Sequence, residues 1–592
     1  MYRTHKCGEL RREHAGMQVR IAGWVQHKRS FGGVLFVVVG DRYGDVQVTF
    51  QPKNKELLEN AESLRSQDVV SILGTVVLRP KEARNPKMPT GDIEIIAEEL
   101  TVLSRSEVPP FVIKDDVNAS EELRLRYRYL DLRRRVMQRN LIIRHKAASA
   151  TREFLDSEGF VEIEMPYLVR STPEGARDFL VPSRNWRGKF YALPQSPQLY
   201  KQTLMVAGLD RYYSLARCFR DEDLRQDRQP EFTQIDLEMS FVEKEDVMDL
   251  SERLLSYIML KTIDYVLPLP LPRLSYEEAM ARFGTDKPDT RIPFVIHDVT
   301  DIASECGFRV FEDVAKGGGV VRVLPVPKAA SFSRKKIDQL TKLAVEWGAK
   351  GLATMKFSAG EFEGGVAKFL SEGFKKALAE ICGDELVDGS MLFFVADSAD
   401  IAAKVLGGLR KMLADELDLV DRSRHEALWI VNFPLFEPSE EDPTGITPKH
   451  HPFTSPVPED IPKLDTDPLS VRANAYDLVL DGFEIAGGSI RIHDPQLQKK
   501  IFALIGIGPD EAERKFGFLL EAFRYGVPPH GGIAFGFDRL CMILAGARSI
   551  RDVIAFPKTT AAQSLMDGSP AEVDPKQLEE LGIKIIDKNE EV

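Results

Sequence analysis

The chain is poor in cysteine, with five in 592 residues, widely spaced and with no Cys-x-x-Cys pair. That excludes a disulfide framework and a thiolate zinc site, and it fits a reducing compartment. No stretch approaches the ~20 consecutive apolar residues of a membrane-spanning helix. The first residues, MYRTHKCGELRREHAGMQV, are polar and charged and hold no apolar signal core. A cytoplasmic protein with no membrane partner is expected. The pattern Gly-x-x-x-x-Gly-Lys-Ser/Thr occurs nowhere, which excludes a P-loop. Positive charge is also short: 79 Lys and Arg against 91 Asp and Glu leave a net charge of −12. Net charge is nevertheless a weak guide to nucleic-acid binding, because phosphate affinity follows local patches.

What is present is an ordinary globular balance, 43% hydrophobic and 29% charged, in a chain too long for one core. Three or more domains are expected. One basic patch stands out, with Arg124, Arg126, Arg128, Arg133, Arg134, Arg135, Arg139 and Arg144 between Leu123 and Lys146. It reads equally well as a phosphate surface or as an ion-paired helix face. Residues 1–104 alternate as strands at Gln18–Val25, Val34–Val39, Asp45–Phe50, Asp68–Leu78 and Ile93–Leu103, with turns at Phe31-Gly32-Gly33 and Tyr43-Gly44. Five short strands suit a small closed barrel of the oligonucleotide-binding type. Arg29, Phe36 and Gln47 are residue types that stack on and hydrogen-bond to unpaired bases, although a lone strand phenylalanine is usually core. Helical periodicity over Gln138–Ser157 ends at Gly159, and Phe160–Pro166 alternates as a strand. Residues 290–420, with glycine clusters at Gly317–Gly319 and Gly364-Gly365, have the texture of a separate inserted α/β domain.

Four segments carry chemistry. In Gln195-Ser196-Pro197-Gln198-Leu199-Tyr200-Lys201, Ser196 suits an N-cap and Pro197 the first helical position, placing Gln198 and Lys201 on one face near a helix start that favours anions. Tyr212–Arg220 puts Ser214, Ala216 and Cys218 on one face with Arg220 at its rim; a returning strand puts Phe232, Gln234, Asp236 and Glu238 on one face. A small-residue strip beside an arginine leaves space for a ligand and a fork for its phosphates. Asp481-Gly482 signals a two-residue hairpin that sets Glu484 opposite Val479, with Asp477 a diagonal neighbour. Two carboxylates so placed suit Mg²⁺, the usual escort of ATP. Strict alternation would turn Arg491 to the other face, so a bulge is expected at Gly487-Gly488. Finally, Gly531–Gly536 is a glycine-rich apolar strand against which a flat ligand can lie, and Arg539 follows at the next helix start. Adjacent His450 and His451 lack further ligands nearby in sequence, which favours a substrate loop over a zinc site.

Taken together, these segments resemble the class II aminoacyl-tRNA synthetases. The three family motifs match Gly159–Pro166, Phe219-Arg220-Asp221-Glu222 with its returning strand, and Gly536-Phe537-Asp538-Arg539. Over essentially the whole length the resemblance is to the bacterial-type aspartyl enzymes. It is carried by Ser171-Thr172-Pro173-Glu174-Gly175-Ala176-Arg177-Asp178-Phe179, Gln195–Gln198, Arg228–Asp236 and His450-His451-Pro452-Phe453-Thr454. The resemblance implies a multidomain α+β fold. Its parts would be an anticodon-binding barrel (1–104), a hinge (105–135), an antiparallel sheet flanked by helices (136–288 and 423–557), an inserted GAD-like domain (289–422) and a C-terminal extension (558–592). It implies a homodimer built partly through the first motif. It further implies that Arg220, Asp221, Glu222, Gln229, Glu484, Gly536, Phe537, Asp538 and Arg539 bind ATP, with Arg220, Glu484 and Arg539 catalytic and Asp477 and Glu484 holding Mg²⁺. Glu174, Gln198, Lys201, Arg220, Asp236, His450 and Arg491 would bind L-aspartate. Arg29, Phe31, Phe36 and Gln47 would read the anticodon of tRNA(Asp). Phe31 stands where leucine is expected in enzymes confined to tRNA(Asp) and histidine in those that also charge tRNA(Asn), so tRNA(Asn) stays open as a second acceptor. The rivals are an asparagine or lysine sister enzyme, a non-catalytic tRNA-binding paralogue and a tRNA-independent amide ligase. Two cations, Lys201 and Arg491, argue against lysine as substrate and favour a carboxylate.

Overall fold

The structure is a computed structural model that describes residues 1–172, 176–224, 227–439 and 444–586. The chain forms two compact units, 1–142 with 551–572, and 143–550 with 573–592.

In the first unit five strands close into a barrel in the order β1-β2-β3-β5-β4. They are β1 (Gln18–Phe31), β2 (Val34–Asp41), β3 (Gly44–Phe50), β4 (Val69–Leu78) and β5 (Ile93–Ser104). The expected barrel is therefore present, and β1 runs six residues beyond its predicted end, to the Gly32-Gly33 turn. Alternation fills the interior with Val19, Ile21, Val37, Val39, Val48, Ile72 and Ile95, all fully buried. The arginine run begins in this unit; Arg128 and Arg134 are buried, while Arg126 and Arg139 are exposed. Arg124, Arg128 and Arg134 converge on the buried Asp131 at 3.7, 2.7 and 2.7 Å. Arg128 also donates to the carbonyls of Arg551, Ile554 and Ala555. Arg135 pairs with Asp45, and Arg133 lies over the Trp24 ring. Of the two readings of the run, the ion-paired one describes these residues.

Helix α1 (Arg135–Ser157) leads into the second unit and stops before Gly159, whose φ is +79°. The second unit is built on an eight-stranded sheet in the order β9-β10-β11-β12-β13-β8-β7-β6. Its strands are β6 (Val161–Glu162), β7 (Arg211–Phe219), β8 (Glu231–Ser240), β9 (Arg273–Ser275), β10 (Ala427–Val431), β11 (Ala475–Leu480), β12 (Phe483–Ile490) and β13 (His530–Gly536). The six central strands pair antiparallel; β6 and β9 are short parallel edges. The predicted strand Phe160–Pro166 pairs over two residues only. Helix α2 (Gln198–Val206) packs on this sheet, and α3 (Tyr276–Phe283) follows β9. Between β9 and β10 lies a second, five-stranded sheet made of His297–Asp298, Val320–Val326, Ser390–Asp397, Ala353–Ser358 and Glu361–Glu363 in that spatial order, backed by α4 (Ala399–Glu416). It has hydrophobic clusters of its own. Helix α5 (Phe537–Ala545) begins directly at the end of β13.

Candidate active site

One face of the large sheet carries the predicted site in transverse rows. Asp477, Gly487, Ala534, Asp236 and Ser214 stand side by side on five adjacent strands. The next row is Ala475, Ser489, Gly532, Glu238 and Tyr212. On the other side of the first, Glu484 opposes Val479, and Gly536 and Ala216 flank Gln234. The hairpin turn is the expected one: Asp481 and Gly482 have φ of +55° and +79°, the pair of positive values a two-residue turn needs. The bulge lies elsewhere than predicted. Pairing runs unbroken through Gly487 and Gly488 on both edges of β12, and the extra residue is Ile485, between Glu484 opposite Val479 and Ala486 opposite Leu478. One inserted residue reverses the facing of all that follow, so Glu484, Gly487, Ser489 and Arg491 still share a face. The glycines serve packing instead. A Cβ on Gly488 would lie 2.3 Å from the Gly532 carbonyl oxygen and 2.6 Å from the Tyr476 ring.

At one end of this face four charges are buried together. Lys201 Nζ lies 2.7 Å from Asp236 Oδ1 and 3.1 Å from Glu238 Oε2. Arg491 takes Glu238 as a fork, Nε to Oε1 at 2.9 Å and Nη2 to Oε2 at 3.2 Å, and donates Nη1 to Ser489 Oγ at 2.6 Å. Burial alone would raise Glu238; Arg491 and then Lys201 outweigh it and hold the carboxyl at about 2. Asp236, whose ion pair is with Lys201, is instead raised by burial. The sequence reading counted Lys201 and Arg491 as two free cations, but they come with two counter-charges, and the cluster is neutral as it stands. Charge count alone therefore does not choose a carboxylate over an amide. Among the described residues, Asp236 Oδ2, an acceptor, and Gln198 Nε2, a donor, are two of the polar atoms here that are buried without a hydrogen-bond partner. Helix α2 starts one residue later than predicted, with Pro197 at the N-cap; Ser196 Oγ still accepts the Gln198 N–H at 3.3 Å. Glu174 lies outside the described residues.

At the other end is a cavity of about 230 Å³ lined by Arg220, Glu222, Gln229, Glu484, Gly536 and Arg539, among others. Arg220 lies over the Phe232 ring, 5.1 Å from its centroid. Arg539 donates to the Glu484 carbonyl and lies 3.2 Å from Asp227; among the described residues its buried Nε has no partner. Arg228 pairs with Glu222 at 3.1 Å, and Asp221 lies 3.8 Å from Arg177. Thus the loop between β7 and β8 caps cationic groups with its own carboxylates. Along β13, Gly536 exposes bare backbone to this cavity, with nothing among the described residues closer than 3.8 Å to a Cβ built there, whereas at Gly532 that space is filled by Glu238 Oε2 at 2.0 Å. Phe537 and Asp538 are held by contacts of their own, and Asp538 also lines this cavity. Phe537 is buried beneath Arg144, and the Asp538 carboxylate takes Arg144 Nη1 at 2.5 Å and the Thr233 N–H at 2.7 Å, which anchors the start of α5.

The two hairpin carboxylates meet over Gly487, where a Cβ would lie 2.9 Å from Asp477 Oδ1 and 4.0 Å from Glu484 Oε1. Burial, and then the charge of Asp477, raise the Glu484 carboxyl. Two oxygen-bearing acids so close together are the donor set a hard cation takes. His450 Nε2 sits 3.8 Å from Asp477 Oδ2, at the carboxylate pair rather than in the buried quartet. Among the described residues no cluster of three or more His, Cys, Asp or Glu forms a metal cage.

On the barrel, Arg29 pairs across the ladder with Phe36 and lies 5.2 Å over its ring; Phe36 opposes Thr49. Phe36 is half-buried, not core, and Phe31 is 79% exposed at the β1–β2 turn. Gln47 is buried and donates to Glu94 Oε2 at 2.9 Å, as Thr49 Oγ1 does at 2.5 Å. Arg79 holds the Ile93 carbonyl through Nε at 2.8 Å, and its buried Nη2 has no partner among the described residues.

Residues 120–560 match the family described as class II tRNA synthetases (D, K and N). The chain belongs to the class II tRNA synthetases. Residues 19–103 of this synthetase chain match the OB-fold nucleic acid binding domain. It is 54% identical over 584 residues to the aspartate–tRNA(Asp/Asn) ligase of Caldanaerobacter subterraneus subsp. tengcongensis, covering 98% of each chain. It is 52% identical to the enzyme of the same name from Moorella thermoacetica, covering 99% of this chain and 97% of that one. With the aspartate–tRNA ligase of Geobacillus kaustophilus it shares 51% identity over 99% of both. Its fold is that of the asparaginyl-tRNA synthetase of Pyrococcus horikoshii solved with asparaginyl-adenylate (TM-score 0.60, 22% identity, 96% and 99% covered). Two acids, one on the large sheet and one on the barrel, are not singled out by the sequence. Glu238 and Glu94 were visible only as alternating strand acids, and what marks them is the buried partners that fold brings to them.

Proposed function

We propose that the chain is an aspartate–tRNA ligase that activates L-aspartate with ATP and transfers it to the 3′ end of tRNA(Asp) and of tRNA(Asn). The observation that carries this is the shared face: the buried quartet, the carboxylate pair and the phosphate-facing Arg220 and Arg539 all lie on one side of five contiguous strands. Aspartate fits the quartet end. Asp236 Oδ2 offers an acceptor for its ammonium, and Arg491, with N–H groups beyond its bond to Glu238, together with Lys201 meets its side-chain carboxylate. The α-carboxylate then attacks the α-phosphorus of ATP. A carboxyl–phosphoryl bond forms, the bond to the β-phosphate oxygen breaks, and pyrophosphate leaves. A tRNA 3′-terminal hydroxyl attacks the resulting anhydride, and AMP departs. No protein nucleophile takes part; catalysis is positioning and electrostatic stabilisation by Arg220 and Arg539. Asp477 and Glu484 would hold Mg²⁺, which supplies charge neutralisation on the phosphates.

The barrel face of Arg29, Phe36, Gln47 and Glu94, with Phe31 at its rim, suits stacked and hydrogen-bonded anticodon bases. The relatives' names support tRNA(Asn) as second acceptor. Val161, Tyr167, Leu168, Leu180, Trp186 and Phe190 are exposed on the β6 edge and the segments that follow it, which supports pairing of two copies there. Five buried, unbridged cysteines support a cytoplasmic setting. In the deciding experiment, purified protein catalyses aspartate-dependent ATP–pyrophosphate exchange and charges both tRNAs with labelled aspartate. Arg491→Ala abolishes the exchange while ATP still binds. Near-normal exchange by that variant would refute the assignment, and charging of tRNA(Asp) alone would remove tRNA(Asn).

A further inference from the structure

The turn that carries Glu484 is held from outside its own sheet. The Asp481 carboxylate accepts the Glu426 N–H at 3.0 Å, lies 2.6 Å from His425 Nδ1 and 3.2 Å from Arg291 Nη1. Arg291 also donates Nη2 to the Asp481 carbonyl at 3.3 Å and is itself locked to Asp289 through Nε at 2.9 Å and Nη2 at 2.8 Å. Asp289 packs so close to the turn that a Cβ on Gly482 would lie 2.8 Å from its own Cβ. Four residues before Arg291, Lys287 places Nζ 4.0 Å from Glu484 Oε2. From the second sheet's helix α4, Lys411 lies 5.5 Å over the Phe483 ring. Thus residues 286–291, which run from α3 into the inserted sheet, touch the hairpin at Asp481, Gly482 and Glu484.

We propose that this entry segment is a strap that positions the Asp477–Glu484 pair for its metal, with Arg291 and Asp481 as positioning residues and Lys287 as its arm on Glu484. The inference rests on the reading of that pair as the Mg²⁺–ATP site. Glu484 is three residues from Asp481 on a hairpin with one bulge, so a shift of the turn moves one carboxylate against the other. A displacement on the order of 1 Å at a reacting site costs up to about a hundredfold in rate. The inserted domain thereby gains a role in the first half-reaction: its root fixes where the metal sits.

The test uses the full chain in pyrophosphate exchange, with ATP, Mg²⁺ and aspartate varied separately and the melting temperature recorded. Arg291→Gln and Asp481→Asn are expected to raise both the half-saturating Mg²⁺ and the KM for ATP about tenfold, with the KM for aspartate within about twofold. The double variant is expected to be no worse than the worse single, because both remove one interaction. Arg291→Lys, which keeps the charge but not the fork, is expected to fall between. Lys287 is half-exposed, so Lys287→Met tests the strap without disturbing the core and is expected to shift Mg²⁺ and ATP dependence in the same direction. Unchanged Mg²⁺ and ATP dependence in Lys287→Met and in folded Arg291→Lys would overturn the proposal, as would an equal loss in the aspartate KM. Absence of exchange in the wild-type protein would instead overturn the proposed function, which keeps the two failures apart.

Discussion

Replacing Glu238 by glutamine keeps the side chain's shape and removes one charge from the buried quartet. In the wild-type protein Glu238 meets Arg491 at 2.9 and 3.2 Å and Lys201 at 3.1 Å, and no member is more than 6% exposed. Its carboxyl is held at about 2 against an ordinary 4.5, a difference worth about 3 kcal/mol at 1.36 kcal/mol per unit. The same scale follows from breaking a buried pair, about 3–5 kcal/mol, because two cations remain with one anion. A glutamine amide also turns an N–H toward a guanidinium or an ammonium. Glu238→Gln should therefore lower the apparent melting temperature by several degrees. Aspartate should restore more of that loss than it adds to the wild type, since its side-chain carboxylate replaces the missing charge; asparagine should not. The assay is thermal unfolding with and without each amino acid, beside the KM for aspartate in exchange. A variant that melts like the wild type, or gains the same from aspartate as from asparagine, would refute the charge-balance reasoning.

The same carboxyl gives a pH dependence. Because its folded pKa lies below its unfolded one, its contribution is complete above about pH 4.5 and is lost as pH falls toward 2, so stability should depend less on pH across that window in Glu238→Gln, as followed by circular dichroism. Asp227→Asn uncaps Arg539; the pair is partly exposed and worth about 0.2–1 kcal/mol, so the KM for ATP should fall by up to about fivefold, and an increase would contradict the capping. Phe36→Ala should weaken tRNA binding by about 1–3 kcal/mol, read as a higher KM for tRNA in charging, while leaving pyrophosphate exchange unchanged.

Much of this was legible in the sequence because alternation fixes facing. Ser214, Ala216, Cys218, Gln234 and Asp236 came out on the predicted side, as did the Asp481-Gly482 turn. The bulge at Ile485 was not legible, since nothing in Glu484-Ile485-Ala486 marks an extra residue, whereas the conspicuous Gly488 is required by Tyr476 and Gly532, neither its neighbour in sequence. The ownership of charges was hidden for a related reason. Lys201, Asp236, Glu238 and Arg491 span nearly 300 residues, and which cation belongs to which acid is decided by strand order. The arginine run reads both ways in the sequence, and packing decides: Asp131 gathers three of the guanidinium groups inward.

Phe31 sits on a turn completed by Gly32 and Gly33 with φ of +57° and +78°, where no heavy atom lies within 4 Å of either position a Cβ would take. With 79% of its surface in solvent, the ring contributes nothing to the barrel's interior. A change of residue there therefore costs the fold little, and on the proposed reading of Phe31 as an anticodon contact it is judged by the tRNA alone. On that reading the breadth of acceptor choice can drift in a lineage by single substitutions, with no compensating change in the barrel's interior.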